Sequence, residues 1–323
     1  MFSSCSKLKK APALPATTMT YSCYKLMFNG TGIKTAPALP ATTLADNCYS
    51  SMFEGCYSLA TAPVLNSTAL SYGCYSSMFK NCTSLTTAPS LNSESVTELS
   101  SFCYASMFKG CTSLTVAPAL PQNITELQSS CFASMFEGCT SLTAAPTLPQ
   151  NLEYLADNCY ESMFEGCTSL TAAPTLPTSD ESAYLCQSCY ESMFKGCTSL
   201  TATPALPTTR FENVGSCYRS MFEGCTSLTS IPTLTIEEAD YYASYCFGSM
   251  FKGCTSLTNV SSLTIKTCSG DFMYQSMFEG CTSLTTTPTT ISLKNTGYIA
   301  ESGFASMFKG CTSLTTAPRF TCL

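Results

Sequence analysis

The chain contains no histidine and no tryptophan. Without histidine it lacks the commonest general base and the commonest nitrogen ligand for metals, which weighs against an enzyme. Charge is scarce as well: Asp, Glu, Lys and Arg make up 11% of the residues, the formal net charge is -6, and no basic run occurs. Nucleic-acid affinity rests on clustered Lys and Arg, so nucleic acid is not an expected partner. No stretch approaches the roughly 20 consecutive apolar residues of a membrane-spanning helix, so membrane insertion is not expected either. The opening residues, MFSSCSKLKKAPALP, lack the basic flank, apolar stretch and small-residue cleavage site of a signal peptide.

What is present is a long, hydroxyl-rich chain: 323 residues, 45% of them hydrophobic, are enough for a sizeable core. The pair Met-Phe occurs at Met1, Met27, Met52, Met78, Met107, Met135, Met163, Met193, Met221, Met250, Met277 and Met307, which gives 12 copies spaced 25 to 30 residues apart. Such a period is the signature of a solenoid. The expectation is a single repeat solenoid over residues 1–323, without an internal domain boundary and with both ends inside a repeat.

The copies read approximately C-Y-x-S-M-F-[EK]-G-C-T-S-L-T-x-A-P-x-L-P, followed by a segment of variable sequence and length. Cys48, Met52 and Cys56 stand at i, i+4 and i+8, beside Tyr49 and Phe53 at i+1 and i+5, the spacing of one helix face. Asp46 or Asn47 is placed to cap such a helix, and Gly55 to end it in a left-handed conformation. Leu59 and its counterparts, spaced among small residues and prolines, fit a short extended strand with few ladder bonds. The expected fold class is an α/β repeat solenoid, a parallel stack in which each unit is a short strand plus a helix of about two turns. Ordering about 25 residues costs roughly 1 to 2 kcal/mol each for the backbone, so units must stack and bury shared Leu, Met and Phe columns.

The residue after Met-Phe reads Glu54, Lys80, Lys109, Glu137, Glu165, Lys195, Glu223, Lys252, Glu279 and Lys309, and seven of the nine neighbouring pairs are of opposite sign. In a parallel stack these side chains stand about 5 Å apart in one exposed column, where opposite charges attract modestly.

The 23 cysteines invite a disulfide reading. Along a helix, positions eight apart are separated by about 12 Å, whereas a disulfide needs alpha carbons within roughly 7 Å. Copies also lose one cysteine and keep the other: Cys23 has no mate, Cys281 faces Met273 at the partner position, and Cys311 faces Gly303. Cys186, Cys268 and Cys322 lie outside both columns. The expectation is stacked, mostly free thiols acting as small buried residues. Zinc is the weaker reading, because Cys186 and Cys189 form the one close pair, and a redox reading of that pair lacks a strand-helix setting. Neither the sequons at Asn66 and Asn123 nor the carboxylates Glu237, Glu238 and Asp240 form a recurring chemical arrangement, so no catalytic residue, metal ligand or cofactor is expected.

The segment SMFEGCTSLTAAPTLP, Ser162 to Pro177, resembles the BspA-type leucine-rich repeats of bacterial surface proteins, whose units also centre on a Phe, a Cys a few residues later and a Leu three beyond. Repeats in gut-bacterial phage structural proteins look similar. The resemblance covers essentially the whole chain. It implies a curved parallel solenoid at a cell surface or outside the cell, or alternatively in a virion, with roles in adhesion or partner binding. It also implies that Phe164, Cys167 and Leu170 are core, as Cys48, Met52, Phe53, Cys56 and Leu59 are from their spacing. The Ala-Pro-x-Leu-Pro strand and the second cysteine column depart from the family's usual pattern.

Variation concentrates between the Leu-Pro and the next Cys-Tyr, and loops on one side of a solenoid form a continuous surface where such proteins bind. Arg210, Phe211, Tyr241, Tyr242 and Tyr245 are the contact candidates there, since aromatics and Arg dominate binding hot spots. Two functions follow as expectations. One is a non-catalytic extracellular interaction or adhesion scaffold whose partner is a protein or glycan on another surface. The other is a structural fibre subunit, in which copies of the chain assemble end to end by open heterologous contact.

Overall fold

The computed structural model describes residues 1–150, 152–153, 155–177, 185–206, 210–211, 214–236, 238–239, 243–294 and 299–322. These form a repeat solenoid whose rungs stack in parallel. The expected helix is absent among the described residues. In its place each rung crosses the core as a ribbon of consecutive turns. In the rung at Met52, the N–H groups of Cys48, Ser50, Met52, Glu54 and Cys56 donate to carbonyls three residues back, at 3.0 to 3.2 Å. The intervening N–H groups of Asn47, Tyr49, Ser51, Phe53 and Gly55 donate instead to carbonyls of the next rung, at 2.8 to 3.1 Å.

This alternation explains why the helix does not form. A helix of about two turns leaves its first four N–H and last four C=O groups without partners, which in so short a segment is about half of each kind. The ribbon pairs each of these N–H groups, half within the rung and half across to its neighbour. Every fourth residue must then turn left-handed: Asn47 at φ 55°, Ser51 at φ 52° and Gly55 at φ 70°. Gly55 is therefore left-handed as the sequence implies, though it ends no helix. Asp46 caps none either, because its Oδ1 accepts the N–H of Tyr72 on the next rung at 3.2 Å.

Extended structure is short, as the prolines dictate. The strands are β1 (Arg210–Phe211), β2 (Thr235–Ile236), β3 (Glu238–Ala239), β4 (Thr264–Ile265), β5 (Thr290–Leu293) and β6 (Arg319–Cys322). They pair in parallel as β1 with β3, β2 with β4, and β5 with β6. Elsewhere the contact shrinks to isolated parallel bridges such as Thr35 with Thr61 and Thr87 with Val116.

The side chains that the ribbon turns inward make the core. Cys48, Met52, Phe53, Cys56, Leu59, Phe164, Cys167 and Leu170 are all fully buried. Twelve phenyl rings, from Phe2 to Phe308, stack with centroids 5.5 to 5.7 Å apart and planes within 8° of parallel. A second column runs beside it from Tyr24 to Phe304, at 5.2 to 6.0 Å. Such offset stacks contribute about 0.5 to 1.5 kcal/mol per pair beyond the burial of the rings, and a rung outside the stack would have neither.

The cysteines of the second column have a specific partner. Ten thiols, Cys56, Cys82, Cys111, Cys139, Cys167, Cys197, Cys225, Cys254, Cys281 and Cys311, donate to the phenylalanine carbonyl of the preceding rung at 3.0 to 3.2 Å. In the rung that lacks this cysteine, Thr31 stands in its place, buried, with its hydroxyl 3.3 Å from Cys56 Sγ. The position takes a small buried group that can hydrogen-bond. The 22 cysteines whose side chains are described form no disulfide, and burial pushes the thiols of Cys131, Cys167 and Cys225 up to about 12.

On the outside, six of the seven opposite-charge neighbours in the Glu/Lys column form ion pairs at 2.6 to 4.0 Å. Their side chains are 19 to 67% exposed, so each pair contributes at most about 1 kcal/mol.

Candidate interaction surface

The left-handed positions of successive rungs line up as ribs. One rib is the residue before the first cysteine column: Ser22, Asn47, Gly73, Phe102, Ser130, Asn158, Ser188, Ser216, Tyr245, Phe272 and Ser302, all at φ 51° to 59°. Glycine and asparagine tolerate this conformation, serine is small, and bulky aromatic residues resist it. Phe102, Tyr245 and Phe272 are thus placed against their backbone preference. Strain of this kind, of order 1 to 3 kcal/mol, persists where the surrounding structure or a function holds it.

Tyr245 and Phe272 occupy adjacent rungs, and their rings stack at 4.7 Å with planes 8° apart. On the opposite face of Tyr245 lies the Arg219 guanidinium, 5.0 Å from the ring centroid. Arg219 also pairs with Glu191 Oε1 at 3.6 Å, while its side chain stays 46% exposed. The result is a half-buried ledge running Glu191, Arg219, Tyr245, Phe272 along the stacking axis. Next to its acidic end, Glu161 is held above the usual carboxylate range by burial and then by Glu191, Glu137 and Glu165. Further along the same rib, Phe102 meets Tyr72 at 5.5 Å in a tilted contact, with Tyr72 47% and Phe102 38% exposed.

Of the contact candidates read from the sequence, Tyr245 lies within this ledge. Arg210 and Phe211 form β1, in register with Glu238 and Ala239 of β3, and their side chains lie outside the described residues. Tyr241 and Tyr242 lie outside them entirely. Arg219, Phe272, Tyr72 and Phe102 escaped the sequence reading. Their signal was there: Phe102, Tyr245 and Phe272 stand where eight other repeats carry Ser, Asn or Gly.

Concavities of about 550 and 610 Å³ lie at the Ala-Pro turns, one walled by Pro12 and Pro37, the other by Pro118 and Pro146. Lys10 and Glu94 are their only charged lining residues, so they offer shape without paired acid and base. Among the described residues, no group of three or more His, Cys, Asp or Glu is placed to hold a metal ion.

A rung with stacked phenylalanine, a following cysteine and a leucine three beyond is matched by the model for the BspA type leucine rich repeat region, in six copies spanning residues 1–135, 46–162 and 106–317. The chain belongs to the BspA-type leucine-rich repeat family. Among solved structures, this BspA-type chain is similar to a leucine rich cell surface protein from Faecalibacterium prausnitzii A2-165, at 17% identity and TM-score 0.36, over 90% of this chain and 78% of that one. It is also similar to a leucine-rich repeat protein from Bacteroides ovatus ATCC 8483, at 18% identity and TM-score 0.32, over 90% and 83% of the two chains. No curated protein matches this BspA-type sequence. Among the described residues no helix is long and apolar enough to cross a membrane.

Proposed function

We propose that this BspA-type solenoid is a non-catalytic interaction scaffold at a cell surface, which binds a protein or glycan partner through the rib bearing Arg219, Tyr245 and Phe272. The observation that carries this reading is the placement of aromatic rings at strained, half-buried positions where sibling rungs use Ser, Asn or Gly. Aromatic and arginine side chains supply most of the energy in binding hot spots, and the core needs neither ring. Family membership supports the surface setting, and the absence of histidine supports a role other than catalysis.

The test is binding of the purified chain to arrayed glycans and to a panel of immobilised extracellular proteins, repeated with Tyr245→Ser and Phe272→Ser combined. Serine matches the rib elsewhere, so the double variant is expected to keep its denaturation midpoint and to lose at least tenfold in affinity, about 1.4 kcal/mol. Unchanged binding by the double variant would remove the rib from the function. Electron micrographs showing long thin filaments, in place of discrete particles, would favour the end-to-end fibre.

A further inference from the structure

Most rungs enter their ribbon through the same turn, in which the first-column residue donates its N–H to the carbonyl three residues back. The acceptor belongs to Ala45, Ser71, Ser100, Gln128, Ala156 or Ala243 in rungs whose donors are Cys48, Cys74, Cys103, Cys131, Cys159 and Cys246. In one rung the acceptor is itself a cysteine: Cys189 donates to the Cys186 carbonyl at 3.3 Å, with Ser188 left-handed at φ 51°. A four-residue turn closed in this way holds its end alpha carbons within about 7 Å, inside the range that a disulfide spans. The sequence alone placed this pair in a variable segment without a strand-helix setting, and the turn supplies the geometry that reading lacked.

The surroundings set this pair apart from the other cysteines. Cys186 is partly exposed, whereas Cys189 is fully buried. The Cys186 thiol donates to the Leu155 carbonyl of the preceding rung. Cys217 on the following rung donates its thiol to the Cys186 carbonyl at 3.5 Å and exchanges thiol hydrogen bonds with Cys189 and Cys246. A partly exposed cysteine therefore stands beside a column of buried ones, joined to its nearest member by a turn of the right span.

We propose that Cys186 and Cys189 form a redox-active pair that closes to a disulfide on reaction with hydrogen peroxide. The Cys186 sulfur, as its thiolate, attacks one peroxide oxygen; the O–O bond breaks, a sulfenic acid forms, and hydroxide leaves to take up the thiol proton as water. The Cys189 sulfur then attacks the sulfenic sulfur; the S–O bond breaks, the S–S bond forms, and a second water leaves. Two thiols and one peroxide give one disulfide and two waters, with two electrons passing from sulfur to oxygen. A dithiol reductant reverses the bond by exchange through a mixed disulfide.

The experiment is peptide mapping of the folded chain after graded peroxide treatment and alkylation under non-reducing conditions. The expected product is a peptide carrying both Cys186 and Cys189 that has lost two hydrogens and gained no alkyl group, and that returns to two alkylated thiols after dithiothreitol. Cys159 and Cys167, deep in their columns, are expected to remain alkylatable only after unfolding. In Cys189→Ala the Cys186 sulfenic acid has no resolving partner and is expected to be trapped by a 1,3-dione probe. Retention of both thiols while other cysteines oxidise would overturn the proposal, as would conversion of Cys186 straight to a sulfinic acid with Cys189 intact.

Discussion

The two ends of the turn ribbon are built from the same materials, a cysteine beside an aromatic ring, yet they tolerate change very differently. At one end stand Phe and the second-column Cys. The ring is phenylalanine in all twelve repeats, and the one missing cysteine is replaced by Thr31, another hydrogen donor. At the other end stand the first-column Cys and Tyr. There the ring is Tyr or Phe, and the cysteine yields to Met273 and Gly303. The difference follows from the bonds. Each second-column thiol donates to a phenylalanine carbonyl of the rung before, so it needs its hydrogen. First-column thiols have no such uniform acceptor: Cys217 and Cys246 donate to the Cys186 and Val214 carbonyls, but the position as a whole is set by packing and its volume can be traded. Gly303 leaves room that the Cys268 thiol, from outside the columns, fills.

The tyrosines of the tolerant end make the same point. The hydroxyls of Tyr49, Tyr104, Tyr160 and Tyr190 are buried without a protein partner, whereas Tyr274 donates to the Thr267 carbonyl at 2.9 Å. Burial accordingly pushes the Tyr160 phenol well above its ordinary value. The hydroxyl is carried rather than used.

Five substitutions probe this contrast, each read as a shift in urea denaturation. The largest effect is expected for Phe136→Ala, which opens a gap in an unbroken stack and costs about 3 to 5 kcal/mol. Next come paired changes within one repeat. Cys139→Ala removes the donor to the Phe108 carbonyl as well as the sulfur, and is expected to cost about 2 kcal/mol, against about 1 kcal/mol for Cys131→Ala, where packing alone is lost. Cys139→Thr should recover part of the difference; equal costs for the two alanine variants would erase the distinction between the ends. Tyr160→Phe reverses the sign, with an expected gain of about 1 kcal/mol from removing an unpaired buried hydroxyl.

The smallest effect belongs to the outer charge column. Glu279 is held down to about 2 by a hydrogen bond from Ser276 and then by Lys309 and Lys252. A carboxylate whose folded value is depressed stabilises the fold above its ordinary value of 4.5 and loses that contribution as pH falls toward 2. Glu279→Gln should therefore lower the midpoint slightly at neutral pH, by less than about 1 kcal/mol, and make no difference at the acid end of that window. A difference that persists unchanged at low pH would mean that the side chain acts by packing.

Much of this architecture was legible in the sequence, because a solenoid prints its columns once per turn. The repeat itself, the buried Cys48, Met52 and Phe53 and the alternating Glu and Lys were readable from spacing alone. The backbone was not, since burial at i, i+4 and i+8 is common to a helix face and to a ribbon that turns left-handed every fourth residue. Asn47, Ser51 and Gly55, small residues at that same spacing, mark the left-handed positions and are poor choices for three consecutive turns of a helix. The ledge was half legible: Tyr245 stood out as an aromatic in a variable segment, but Arg219 and Phe272 become its neighbours only through stacking across rungs, which no local spacing encodes.

The alternation of hydrogen bonds in the ribbon has a further effect at the scale of the whole rod. Each N–H that leaves a ribbon points to the following rung, from Phe2 to Met27 at one end of the stack and from Phe278 to Met307 at the other. Peptide dipoles of about 3.5 D each therefore add along the axis instead of cancelling from strand to strand as in an ordinary sheet. The solenoid is a permanent dipole that grows with every repeat, and in an applied electric field it should orient lengthwise.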